Sequence, residues 1–188
     1  MILLIVGTSS SGKSSLSRRL QEVLPDFWQY MSLDSVFAGI PDRYGGGVNG
    51  PLSEVGFAYA NKEIDASITY GSIGQKVLSG MIASALAMNA AGINVIFDDM
   101  ILDKNHSRMW DAALADVESL IVRLNAPTSV LEERNTRRRN PPKLALNHID
   151  TNSLLNADIE IDTGSVSIES AAHRVAEKLA SRAVHRTP

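Results

Sequence analysis

A chain of 188 residues, 44% hydrophobic and 21% charged, has the composition of one globular domain large enough for a proper core and far from disorder. Its formal net charge of −3 argues against a surface built as a whole to hold nucleic acid. The absence of cysteine excludes a disulfide framework, a thiolate zinc site and a cysteine nucleophile.

Met1 to Val6 is an unbroken apolar run rich in branched side chains, ended by Gly7, and reads as a strand buried on both faces. It is too short, and lacks the positive flank, to be the core of a signal peptide. A helix over Ser14 to Leu24 follows, with Leu16, Leu20, Val23 and Leu24 at helical spacing and Pro25 as its stop. Gln29 to Leu33 reads as a second strand ending at Asp34. The next segment breaks the rhythm: Gly45, Gly46, Gly47, Gly50 and Gly56 precede an expected hairpin over Gly56 to Tyr70. Eight of the ten aromatic residues (Phe27, Trp28, Tyr30, Phe37, Tyr44, Phe57, Tyr59 and Tyr70) fall between positions 27 and 70. An insertion rich in rings and glycine behind a strand's carboxyl end is where an open sheet keeps its ligand.

A helix carrying Ile73, Val77, Met81, Ala85 and Met88 on one face is closed by Gly92. Its greasiest part, Met81 to Ala91, is interrupted by Ser84 and Asn89 and falls short of the roughly 20 residues a membrane span needs. The expectation is a cytoplasmic protein without membrane association. Ile93 to Phe97 is the third strand, ending at Asp98 and Asp99. A helix over Asp103 to Val117 presents Trp110, Ala113, Leu114 and Val117. Ser119 to Leu124 and Ala157 to Ile161 are the last strands, and Ser167 caps a final helix with Ile168, Ala172, Val175 and Leu179 inward. Strands alternating with helices predict a parallel sheet covered on both sides, with a tail over Arg182 to Pro188 that frays.

Gly7-Thr8-Ser9-Ser10-Ser11-Gly12-Lys13-Ser14 fits G-x-x-x-x-G-K-[ST] at every fixed position, behind a strand and ahead of a helix. Residues this small let successive backbone N–H groups converge on phosphate oxygens at the positive end of the helix. Lys13 is placed to reach the terminal phosphates and Ser14 to ligate magnesium. Gly7 through Ser14, with Ser15, are the candidate nucleotide-binding residues, so ATP and Mg²⁺ are the expected cofactors.

Of the two aspartates closing the third strand, Asp98 is assigned to the metal and Asp99 to substrate, the order of the pair being open; a strand end that only caps the next helix is the alternative. Asp34 is the candidate catalytic base, able to take or align the proton of an attacking hydroxyl, an effect on the order of 10²–10⁴ in rate; a simple cap competes with that role. Arg134, Arg137, Arg138 and Arg139 crowd the end of a helix begun near Thr128. Arg134 and Arg138, four apart and so on one face, are placed to close over ATP, against the alternative of a solvated basic face. His106, His148, His173 and His185 have no metal-ligand spacing.

Taken in order and spacing, "IVGTSSSGKSSL", "SLDSV", "VIFDDMI", "LEERNTRRRN" and "DIEIDT" resemble the chloramphenicol phosphotransferase-like proteins, small P-loop kinases. The resemblance covers most of the chain and is weakest over residues 36–72. It implies transfer of the ATP γ-phosphoryl group to a hydroxyl of a small molecule, which for the namesake is the primary hydroxyl of chloramphenicol, an antibiotic-resistance chemistry. It further implies Asp34 as catalytic aspartate, Gly12, Lys13 and Ser14 in the nucleotide role, and Arg134 and Arg138 in the lid. "RRRNPP" departs from the expected lid sequence, and the glycine run at 45–47 does not help align the acceptor pocket; both departures bear on the acceptor and not on the donor.

The resulting expectation is an α/β, P-loop NTPase chain, nucleotide-kinase-like, three-layered on a five-stranded parallel sheet of order 2-3-1-4-5. It forms one domain over 1–188, with an acceptor-binding insertion at about 35–72 and an arginine-rich lid at about 134–148. Its partners are ATP and a small hydroxyl-bearing acceptor. A nucleotide- or shikimate-type metabolite kinase and a non-catalytic nucleotide-binding regulator are the competing functions. Arg43 and Lys62 are the only basic residues between Asp34 and Ser72, which leans toward a neutral, partly apolar acceptor.

Overall fold

The computed structural model describes residues 1–46 and 50–184; Gly47 of the glycine run, His185 and the end of the tail lie outside them. The elements in chain order are β1 (Ile2–Val6), α1 (Lys13–Val23), β2 (Trp28–Ser32), α2 (Leu33–Ala38), β3 (Phe57–Ala60), β4 (Ser67–Tyr70) and α3 (Ser72–Ala90). There follow β5 (Asn94–Asp99), α4 (Lys104–Leu114), β6 (Ser119–Asn125), α5 (Thr128–Arg137), the short α6 (Ile149–Asn152), β7 (Ile159–Asp162) and α7 (Ile168–Val184).

Five strands pair in parallel in the order β2-β5-β1-β6-β7. Counted along the chain as strands one to five, the order is the expected 2-3-1-4-5. Every residue of β1 is buried, as a central strand covered on both sides requires. Its alternating side chains feed two cores. Leu3 and Ile5 pack with Leu16, Leu20 and Val175 under α1 and α7, while Ile2, Leu4 and Val6 pack with Leu78, Phe97 and Trp110 under α3 and α4. No helix of the described residues is long and apolar enough to cross a membrane.

Two local expectations change. The second strand ends at Ser32, and Asp34 lies in the first turn of α2 rather than at a strand end. The Ser32 hydroxyl accepts from the Ser35 N–H at 3.1 Å while the Ser35 hydroxyl accepts from the Ser32 N–H at 3.3 Å, a reciprocal cap that starts a helix inside what reads as the strand's tail. The inward face of α3 is Gly74, Leu78, Met81, Ile82 and Ala85, rotated from the expected stripe although Met81 and Ala85 belong to both. The expected hairpin is β3–β4, antiparallel with Phe57 opposite Tyr70. Fully buried Phe57 meets the Phe37 ring edge-on at 4.6 Å, fixing the hairpin against α2.

Candidate active site

The loop from Gly7 to Gly12 turns tightly between β1 and α1. Gly7 is closely approached: a Cβ there would meet Ser11 Oγ at 2.5 Å and the Leu124 carbonyl at 2.8 Å. Gly12, with φ at 100°, occupies left-handed backbone that glycine adopts without strain and starts α1 without a side-chain cap. Among the described residues, no side chain caps the first-turn N–H groups of the helix, and the buried hydroxyls of Ser10 and Ser11 have no hydrogen-bond partner. An uncapped, positively polarised helix start ringed by hydroxyls suits a phosphate chain. Lys13 Nζ donates to the Thr8 carbonyl at 3.0 Å and lies 3.8 Å from Asp98 Oδ1.

Asp98 and Asp99 are separated by strand geometry, since consecutive side chains point to opposite faces of a sheet. Asp98 turns toward the loop, where Ser14 Oγ donates to its Oδ2 at 2.8 Å and Tyr30 Oη to the same oxygen at 3.1 Å. Burial pushes its carboxyl above the usual range, an effect that Lys13 and Ser14 oppose and the charge of Asp34 adds to. A hydroxyl beside a buried carboxylate is a hard-oxygen donor pair suited to Mg²⁺.

Asp99 turns the other way and is fully buried. It accepts from Trp110 Nε1 at 2.6 Å and from the Met100 N–H at 2.7 Å, and His106 Nε2 lies 3.1 Å from it, off the line of a hydrogen bond. The expectation that Asp99 faces substrate is corrected: it anchors α4 from inside the core.

Asp34 is exposed on α2 and lines a cleft of about 940 Å³ together with Lys13, Ser14, Asp98, Tyr59 and Arg138. Its charge bears on both Asp98 and Tyr59, and the Tyr59 phenol is raised first by burial and then by Asp34. Phe37, Ile68 and Met100 make part of the cleft apolar, with Lys62 and Glu63 at the hairpin tip.

The arginines separate. Arg134 donates to Thr163 Oγ1 at 3.0 Å and to the Thr163 carbonyl at 2.8 Å, with a longer 3.5 Å contact to the Ser10 carbonyl. It is not among the residues lining the cleft, whereas Arg138 and Arg139 are. Arg137 pairs outward with Glu133. Beyond them the chain is tied to the phosphate loop: Asn140 Nδ2 donates to Ser9 Oγ at 3.2 Å and Thr8 Oγ1 to the Ala145 carbonyl at 2.7 Å. The same segment grips the hairpin, with Asn147 Nδ2 donating to the Ala66 carbonyl at 2.9 Å and the Ile68 N–H donating to His148 Nε2 at 3.0 Å. His148 is buried, and its imidazole is held down to about 4 by that burial.

Sequence reasoning missed Tyr30, Thr163 and Asn140 as neighbours of the loop. Alternation along β2 puts Tyr30 on the face of Trp28 that packs under α1, a signal available in the sequence; Thr163 and Asn140 reach the loop only through long-range folding.

This sheet order, with its phosphate loop between the first strand and the first helix, defines a P-loop kinase fold. A sequence model of the chloramphenicol phosphotransferase-like proteins matches residues 1–180, and the chain belongs to that family. No curated protein matches it by sequence. Among solved structures it is similar to the APS kinase CysC of Mycobacterium tuberculosis, in complex with AMPPNP and APS, with TM-score 0.65, 16% identity, and coverage of 95% of this chain and 96% of that one. It is also similar to shikimate kinase of Aquifex aeolicus (TM-score 0.59, 16% identity, 98% and 99% covered). A sugar kinase from Janibacter sp. gives TM-score 0.59 at 13% identity, with 96% and 92% covered. Family and fold together support a small-molecule kinase.

Proposed function

We propose that this protein transfers the γ-phosphoryl group of ATP to a hydroxyl of a small, largely uncharged acceptor. The observation that carries this reading is that Lys13, Ser14 and Asp98 share one cleft with Asp34. The first three suit the phosphate tail, and the carboxylate of Asp34 stands free beside them to receive an alcohol.

In this reading the backbone of Gly7 to Ser15 and Lys13 hold the phosphates. Ser14 and Asp98 would hold Mg²⁺, which when bound neutralises charge on the β- and γ-phosphates. Asp34 aligns the acceptor hydroxyl and takes its proton as the new P–O bond forms and the bond to the β-phosphate bridge breaks, leaving ADP. Arg138 stabilises charge on the transferring group, and its closing over the cleft excludes water that would otherwise hydrolyse ATP. Arg134 acts behind the loop, holding the Ser10 and Thr163 carbonyls. Residues 134–148 then serve as lid and 35–72 as acceptor wall of a single domain, in a cytoplasmic enzyme.

The apolar side of the cleft, formed by Phe37, Ile68 and Met100, favours a neutral acceptor carrying an apolar body, and chloramphenicol is the first to test. Lys62 favours the second reading, a metabolite kinase with an anionic acceptor, although Glu63 beside it offsets that charge. A labelled-ATP assay against chloramphenicol, aminoglycosides, nucleosides, sugars and an anionic acceptor such as shikimate separates them. Label passing to an acceptor in the wild type, and to none with Lys13→Ala, supports the kinase reading. Tight ATP binding with no transfer to any acceptor supports a nucleotide-binding regulator instead.

A further inference from the structure

Asp98 is almost wholly buried, at 5% exposure, yet lines the cleft, and one of its oxygens is shared by two hydroxyls. One is Ser14, in the phosphate loop; the other is Tyr30, on the neighbouring strand, whose phenol arrives from beneath α1 at 3.1 Å. Ser32, which caps the helix carrying Asp34, stands opposite Asp98 in the register of β2 and β5, and its hydroxyl also bears on the phenol. Lys13 Nζ waits 3.8 Å from the other carboxylate oxygen.

We propose that Tyr30 is a positioning residue that holds the Asp98 carboxylate in place for the metal. The proposal rests on the reading of the cleft as a Mg²⁺–nucleotide site. A carboxylate anchored by Ser14 alone keeps one donor, and Ser14 is itself the other oxygen offered to the metal. Freed of the phenol, Asp98 can turn about its side-chain torsions and leave the orientation it shares with Ser14. The metal then loses a partner.

The test uses Mn²⁺ as probe, with paramagnetic resonance reporting free metal, and a non-hydrolysable ATP analogue. In Tyr30→Phe, Mn²⁺ affinity in the presence of the analogue falls about tenfold, the size expected for losing one hydrogen bond to a charged group. Affinity for the analogue without metal stays within about twofold, because Lys13 and the backbone of the loop are left as they are. In an Asp98→Asn background the same substitution changes neither quantity, since the group it positions is gone. Equal Mn²⁺ affinities for Tyr30→Phe and wild type would overturn the proposal while leaving the site reading intact. A matching loss of metal-free analogue binding would also overturn it, by making Tyr30 a packing residue. Wild-type protein that binds no analogue at all would remove the site reading itself.

Discussion

Ser14 Oγ and Asp98 Oδ2 meet at 2.8 Å although 84 residues of chain separate them. The contact joins the start of α1 to the end of β5 and sets the hydroxyl and the carboxylate side by side. Asp98→Asn keeps the shape but exchanges an acceptor for an amide that confronts Ser14 and Tyr30. Turnover falls about 100-fold or more, ~2.7 kcal/mol of barrier. Since burial works against the ionised form of Asp98, the neutral amide leaves the melting temperature unchanged or raises it. Steady-state kinetics and a thermal melt check both arms; a large loss of stability would mean the carboxylate serves folding instead.

Asp34 stands apart from this cluster, exposed on α2, so its removal disturbs little packing. Asp34→Asn lowers kcat about 100-fold, with nucleotide affinity unchanged within about twofold. A fall under tenfold would assign Asp34 to capping or acceptor binding. Kinetics with titration of an ATP analogue read the two effects separately.

Arg134 and Arg138 are predicted to differ despite their helical spacing. Arg138→Ala slows turnover more than it weakens nucleotide binding, as expected of a group that meets charge developing in the transition state. Arg134→Ala removes donors from Thr163 and the Ser10 carbonyl, costs about 1–2 kcal/mol, and lowers the melting temperature by about 3–6 °C. Parallel melts and kinetics on the two variants check the division. Equal kinetic losses with equal stability would contradict it.

His148 gives a stability signature on acidification. Its folded imidazole is held at about 4, below the ordinary value of 6.5, by burial first. A depressed value means the unfolded chain takes the proton more readily, so the contribution is present above 6.5 and lost as pH falls toward 4. Between pH 7 and 5 the loss is about 2 kcal/mol. His148→Gln flattens that part of the pH–stability curve, measured by denaturant unfolding at each pH; an unchanged slope would mean other groups carry it.

The parts legible in the sequence are those written locally. The apolar run of β1, the small residues after it and the lysine at their end occur within 14 positions, and their order alone implies strand, turn and helix. The sheet order and the hairpin followed from alternation and from Gly56 to Tyr70. Asp98 and Asp99 were separable in principle, because adjacent strand residues face opposite ways, but which of them faces the phosphate loop depends on where that loop lies. The cap that turns Asp34 into a helical residue rests on Ser32 and Ser35, a weaker pairing than one with glutamate at the third position. Helical spacing puts Arg134 and Arg138 on one face, yet Arg138 is the residue just past α5, and their surroundings are the β7–α7 turn and the cleft, which spacing along α5 cannot encode. The grip of Asn147 and His148 on the hairpin likewise joins segments about 80 residues apart.

The central claim is that one cleft seats the phosphate tail on the loop and presents Asp34 to the incoming hydroxyl. A crystal structure with Mg²⁺ and a non-hydrolysable ATP analogue tests it most directly. The account predicts the terminal phosphate within hydrogen-bonding reach of Lys13, the metal on the Ser14 and Asp98 side, and the Asp34 carboxylate open to the cleft on the far side of that phosphate. A phosphate tail bound away from Lys13, or an Asp34 turned out of the cleft into packing, would contradict it.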